Sequence, residues 1–419
     1  MKLKHIISLI FVLAMLGACA PASPTPDSNQ DNSTKHSQSG ESNTHNEKNA
    51  EPLLQDTYPA DDEPLTAEDL SVPAPAFSIS YIEQISDNQA ELVTVSLNRN
   101  VQYPRLPVDY RTKLKIEPRV DEEGNVFLLY GISEYYFSKL SPDGKADTIQ
   151  LDVYSVFDAI WVGDHVLICQ NNANLELMVL NPQLELELVP DVRCDGRMGL
   201  ANGEKDIAIW VSGSHEDGKS YASYHTYNPV SKESSEGSIE LPFIYGDNLA
   251  EISDDPNYRG LMEVIAFDYE NENVIITYMK WNSTENVHEP TIEIYDPSSG
   301  EVLHSAFGGG LNYTIEFYGD GLFDRRSNDT GSIGTIAYRL SDLVPIIDMA
   351  DYEMTPRRGV PVIEWIGTNG GLWYRMNNEV ILIYDKDGKR LYQYQIPQNL
   401  PERCAPKDCV MLGMPFLEN

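Results

Sequence analysis

From Phe77 onward the chain alternates short apolar runs, rich in β-branched and aromatic residues, with polar breaks of Gly, Asn, Asp and Pro. Almost no helical periodicity interrupts them, so the pattern predicts strands joined by tight turns. One boundary recurs, an apolar or aromatic strand end followed by a polar turn. It appears as Leu97-Asn98, Leu140-Ser141-Pro142-Asp143-Gly144, Leu180-Asn181-Pro182, Tyr227-Asn228-Pro229, Tyr295-Asp296-Pro297, Leu340-Ser341-Asp342 and Tyr384-Asp385-Lys386-Asp387-Gly388. Successive occurrences lie about 40–47 residues apart, apart from one longer interval between Tyr227 and Tyr295. Four-stranded propeller blades have that period. The fold expected for residues 76–419 is therefore an all-β propeller of about seven four-stranded blades. The irregular interval also admits six or eight, and a pair of β-sandwiches is the alternative.

Two repeats superpose without a gap at an offset of 204, Val156–Pro190 on Val360–Gln393. Trp161-Val162-Gly163 then falls on Trp365-Ile366-Gly367, and Phe317-Tyr318-Gly319 has the same form. In each the Gly is expected to open the turn after an innermost strand, because it tolerates positive φ. One blade reads as strands near 114–120, 125–130, 134–140 and 145–151. Before Leu114 there is material for three strands only, at 77–83, 90–97 and 101–106. The C-terminal run Asp408–Gly413 supplies one more. It is expected to complete the first blade as its innermost strand and close the ring, removing an exposed edge.

The N-terminus has a different pattern. Lys2 and Lys4 precede an apolar run from Ile6 to Ala18, which would span about 20 Å as a helix. That is short of the roughly 30 Å of a bilayer core and suits a signal peptide, residues 1–18. The run ends in Leu16-Gly17-Ala18-Cys19, which resembles the lipobox of bacterial lipoproteins. The resemblance covers these 19 residues only. It implies cleavage before Cys19, a diacylglyceryl group on its sulfur and fatty acyl chains such as palmitate, each buried methylene contributing about 0.8 kcal/mol. It also implies a membrane partner through that anchor. With Ala20 after the cysteine, the domain would hang from the outer membrane, or from the outer face of a single cell membrane, in an extracytoplasmic space. Residues 19–75, made largely of Ser, Asn, Asp, Glu, Pro and Thr, read as a disordered tether reaching on the order of 40 Å.

A formal charge of −35 disfavours nucleic acid and anionic lipid surfaces as partners. Besides Cys19 there are four cysteines, an even number suited to an oxidising compartment. Cys404 and Cys409 form a short local pair expected to staple the tail, and Cys169 and Cys194 are expected to bridge neighbouring blades. No Cys-x-x-Cys occurs and the histidines are scattered, so neither a metal site nor a cofactor is expected.

Candidate chemistry is sparse. Glu316 and Glu364 each lie three residues before the closing Gly of an expected innermost strand. Neighbouring channel carboxylates could serve a carbohydrate-active or other hydrolase, or hold a cation. Arg325-Arg326 and Arg357-Arg358 stand out in an acidic chain and could grip a carboxylate ligand. Trp281, in the long interval, and Tyr135, Tyr136, Trp373 and Tyr374 could stack on sugars or peptides. Ser212–Gly218 reads as a polar hairpin loop, because its adjacent Ser, His and Glu cannot converge as a triad. Asp143-Gly144 and Asp385–Gly388 lack the distal ligands of a calcium loop and read as turns. The preferred expectation is a binding or scaffolding lipoprotein whose partner is an envelope protein, a glycan or a peptide. The hydrolase is the alternative.

Overall fold

The computed structural model describes residues 75–415 except positions 173, 197, 202–203, 217–218, 247–254, 256, 283, 285–286, 308–312, 319–320, 328–332, 349–364, 370–371, 377–379, 386 and 396–409. Over 313–318, 321–327, 333–335, 365–369 and some shorter stretches it describes the backbone alone. Among the described residues every regular element is a strand.

The strands follow one another as meanders. The first group is β1 (Ser78–Ser86), β2 (Gln89–Ser96) and β3 (Leu106–Val108). The second is β4 (Lys113–Leu114), β5 (Arg119–Val120), β6 (Val126–Gly131), β7 (Tyr135–Leu140) and β8 (Ala146–Leu151). The third is β9 (Val156–Val162), β10 (His165–Gln170), β11 (Glu176–Leu180) and β12 (Leu186–Arg193). The fourth is β13 (Met198–Ala201), β14 (Glu204–Glu216), β15 (Lys219–Tyr227) and β16 (Ser234–Leu241). The fifth is β17 (Ile244–Gly246), β18 (Tyr258–Asp268), β19 (Asn273–Asn282), β20 (Val287–Asp296) and β21 (Glu301–Phe307). The sixth is β22 (Tyr313–Tyr318), β23 (Gly321–Ser327), β24 (Ile333–Arg339) and β25 (Pro345–Asp348). The seventh is β26 (Trp365–Asn369), β27 (Leu372–Met376), β28 (Val380–Tyr384) and β29 (Arg390–Gln395), and β30 (Val410–Pro415) ends the chain's strands.

Groups three to seven are separate sheets in which consecutive strands pair. Groups one and two share a sheet in the order β3-β2-β1-β30-β5-β6-β7-β8, with β4 also on β6. The C-terminal strand therefore lies antiparallel to the first one, as expected, with Ser78 opposite Gly413 and Tyr81 opposite Val410. On its other side Met414 meets Arg119 in a short parallel pairing. The arrangement is all-β and propeller-like.

The recurring turn joins the last two strands of each group. Leu140, Leu180, Tyr227, Tyr295, Leu340 and Tyr384 are all buried where that strand ends. The next residue donates its N–H across the turn: Ser141 to Lys145 O, Asn181 to Glu185 O, Asn228 to Glu233 O and Asp385 to Lys389 O. The motif thus combines an apolar plug between sheets with a closed polar turn, which is why it repeats. Asp143-Gly144 and Asp385–Gly388 are such turns, each with its Gly at positive φ.

Packing runs from sheet to sheet. Leu128 and Val126 share a cluster with Phe77, Ile79 and Leu412, and the same cluster includes Tyr374, Ile381 and Ile383 of the seventh group. Phe77 touches the rings of Tyr392 and Tyr394, at 5.7 and 5.2 Å between centroids. Groups two and three meet around Leu129, Trp161 and Ile168, and three and four around Leu167, Trp210 and Tyr227. Groups four, five and six share a cluster holding Ile209, Ile275 and Tyr338. Arg339 reaches Asp387 at 3.5 Å between six and seven. Two tryptophans tie neighbours directly: Trp161 donates to Glu117 O and Trp210 to Arg193 O.

Several expectations need correction. The third strand is Leu106–Val108, not 101–106, where Gln102 makes only an isolated bridge to Val95. The 114–120 strand is split into β4 and β5 around Pro118. Ser212–Glu216 is not loop but the end of β14, paired residue by residue with Lys219–Ser223. Trp281 lies in β19, opposite His288, because the long interval is filled by unusually long strands.

The 204 offset holds for β11 and β28 but fails in the preceding hairpin. Val162 pairs with His165 across Gly163, whereas Asn369 pairs with Leu372. Gly367 therefore sits within a strand, opposite Tyr374.

Cys169 and Cys194 are joined by a disulfide, with Cα atoms 5.8 Å apart. It links β10 to the residue after β12, so it closes within one group and does not bridge two. A bulge explains this. Between the pairs Met178–Leu188 and Glu176–Arg193, β12 spends four residues against one. The extra length turns the strand end inward, and Cys194 N–H donates to Leu175 O.

Candidate functional site

Because the last four strands of each four- or five-stranded group, and β30-β1-β2-β3 in the first, run antiparallel in turn, the turn before the recurring one and the links between groups share one end of the sheets, the connector end. The recurring turns, and the turn two before each, share the other, the hairpin end. Large exposed apolar side chains gather at the connector end of the first three groups. Ile85 stands at the β1–β2 turn, Tyr110 between β3 and β4, Ile132 at the β6–β7 turn, and Tyr154 and Phe157 where β8 passes to β9. Tyr154 is 77% exposed and Phe157 50%. Ile244 and Tyr245 continue the pattern beside the long β14–β15 hairpin, where Tyr245 stacks on His215 at 3.8 Å.

A cleft of about 620 Å³ opens at this end, between the edge strand β3 and the second group. Its floor holds Tyr130 and Tyr136, directly opposite on β6 and β7 with ring centroids 5.8 Å apart and planes 23° apart. The Tyr130 hydroxyl is 3.0 Å from Ser138 Oγ, which lies 2.7 Å from Thr148 Oγ1. Burial raises the Tyr130 pKa. Tyr136 donates its hydroxyl to Glu134 at 2.6 Å, and that bond holds its pKa above the usual phenol value. Asp109 completes the rim, gripped at both oxygens by Arg111. Gly131 shapes the turn beside it: its φ is +150° and a Cβ would strike the Glu134 carbonyl.

A second cleft, about 480 Å³, opens at the hairpin end between groups two and three. Phe127, Phe137 and Trp161 line it under Lys139, whose Nζ lies 5.5 Å from the Phe127 ring centre. Asp121 at its rim is engaged by the backbone and side chain of Asn125.

Of the aromatic candidates, Tyr136 lines the first cleft and Trp281 is half-buried against His288, with ring centroids 4.9 Å apart. Tyr135, Trp373 and Tyr374 are buried and serve packing. The alternating pattern separates Tyr135 from Tyr136, but only the neighbouring group decides which is covered. His215 Nδ1 lies 3.0 Å from Ser220 Oγ, and burial lowers the His215 pKa. Ser220 is 1% exposed and hydrogen-bonds Phe243 O, so its hydroxyl is structural and closed to substrate.

Glu316 lies on β22 opposite Phe323, and Arg325 and Arg326 lie on β23 opposite Thr335 and Gly334; their side chains fall outside the described residues. Glu364, Arg357, Arg358, Cys404, Cys409, the signal peptide, Cys19 and the tether up to position 74 also fall outside them. Register does bear on the carboxylate pair. Glu316 is two residues before the last pair of its hairpin, Tyr318–Gly321, as Ile160 is before Val162–His165, and in β26 that place belongs to Gly367. Among the described residues no group of three or more His, Cys, Asp or Glu is placed to hold a metal ion.

No protein-family model matches the chain, and no curated protein matches it. Among solved structures it is similar to BamB from Moraxella catarrhalis, at 10% identity over 75% of this chain and 87% of that one, TM-score 0.32. The β-propeller domain of the Trilobed protease from Pyrococcus furiosus matches at 12% identity over 68% and 83%, TM-score 0.35. Pyrococcus horikoshii acylaminoacyl peptidase matches at 11% identity over 68% of this chain but 46% of its own, TM-score 0.38. At these values the fold description rests on the strand pairing itself.

Proposed function

We propose that this chain is a lipid-anchored, extracytoplasmic binding or scaffolding β-propeller of seven four-stranded blades, closed by its C-terminal strand, that docks a protein partner on its connector end. The observation that carries the docking reading is the gathering of exposed aromatic and aliphatic side chains at that one end of the first three groups. Apolar surface of this kind marks interaction sites. Seven meanders in succession, with the last packed on the first, support the ring. With β30 counted into the first blade and the split β4 and β5 taken as one, each blade has four strands, the fifth carrying the short β17 in addition.

The net charge of −35 sets the rim chemistry of the partner. A basic surface around an apolar patch would be steered in, and an acidic one kept out. Anchoring rests on the lipobox. Cells fed an alkyne-tagged palmitate should label the wild-type protein and leave Cys19→Ala unlabelled and released from membranes. Equal labelling of the variant would remove the anchor from the account.

A further inference from the structure

The cleft beside Tyr136 differs in chemistry from the apolar side chains around it. Its lining contains no cationic side chain, so it offers an anion no counter-charge. Of its two carboxylates, Asp109 is neutralised by Arg111 and Glu134 accepts the Tyr136 hydroxyl. What remains is a tiled aromatic floor, one carboxylate at its edge, and a hydroxyl relay from buried Tyr130 through Ser138 to exposed Thr148. Hydroxyls both donate and accept, and a carboxylate accepts from several donors. Such a set suits a ligand that carries many hydroxyls and one weakly polar C–H face. A volume of about 620 Å³ is within the range that encloses ligands of several rings.

We propose that this cleft binds a neutral oligosaccharide, with one pyranose face on the Tyr136 ring and its hydroxyls directed to Glu134 and Thr148. Pre-orientation supports this. The Tyr136 ring is held by its hydrogen bond to Glu134 and by its cross-strand neighbour Tyr130, so little side-chain freedom is lost on binding. Ile132 is shared with the docking end, but Tyr154 and Phe157 do not line the cleft, so substitution at Phe157 separates the two readings.

The test is calorimetric titration of the full-length chain, in a non-glycosidic detergent, with maltohexaose, cellohexaose and chitohexaose. At least one sugar is expected to bind saturably. Tyr136→Ala should weaken it roughly tenfold, the scale of a lost aromatic contact, while Tyr136→Phe, which keeps the ring, stays within about threefold. Phe157→Ser should bind the sugar as wild type does. Saturable heat from none of the three sugars would overturn the proposal. So would Tyr136→Ala binding at wild-type strength, or a loss shared equally by Phe157→Ser.

Discussion

Deleting Val410–Asn419 is expected to abolish the cooperative fold of the β-domain. The deletion removes Met411, Leu412 and Met414, all buried in the cluster that joins the first, second and seventh groups. Each such side chain contributes about 1.5–3 kcal/mol by burial. It also strips Ser78–Tyr81 of their strand partner, exposing backbone groups on an apolar edge. The combined loss is comparable with the whole stability of a typical domain, roughly 5–15 kcal/mol. In circular dichroism and size-exclusion chromatography the truncated chain should lose its sharp thermal transition and aggregate. A synthetic peptide spanning the deleted strand should restore the transition in part, since strand addition needs only the vacant edge. A truncated protein that melts like the full chain would show that the last strand does not hold the domain together.

The second large effect concerns a buried ion pair in the fifth group. Arg259 donates through Nε and Nη2 to Glu293, at 3.2 and 3.1 Å, and Tyr278 donates to the other carboxylate oxygen at 2.6 Å. The guanidinium sits 4.5 Å from the ring centres of both Phe243 and Tyr278. Burial, reinforced by the bond to Glu293, keeps the Tyr278 phenol protonated well above its usual range. Arg259→Met is expected to cost about 3–5 kcal/mol, because it strands a buried carboxylate. Arg259→Met with Glu293→Met should recover most of that, since apolar replacements of both partners remove the desolvation cost together. Equilibrium urea denaturation of the two variants measures the difference. A double variant no more stable than the single one would mean that the pair is favourable in its own right.

Legibility in the sequence followed the physics of each feature. The third-to-fourth turns could be read because one buried residue and one polar turn recur in sequence next to each other. The C-terminal strand could be read because the first group lacked a partner. The place of Gly367 could not, since a glycine suits a turn as well as a strand and only pairing of the whole hairpin sets it opposite Tyr374. Cysteine count fixed an even number but not the geometry, which depends on a bulge in β12. The cleft was hidden for a related reason. Its walls, from Leu106 to Thr148, meet only once β3 is placed against the second group, although Tyr136 alone was visible as a stacking candidate.

The docking claim is tested most directly by photo-cross-linking the full-length lipoprotein in its own host. A photoreactive amino acid would replace Phe157 at the connector end or Val230 at the hairpin end, both well exposed. A discrete protein adduct is expected from position 157 and none from position 230. Adducts at 230 alone, equal adducts at both, or none at either would contradict it.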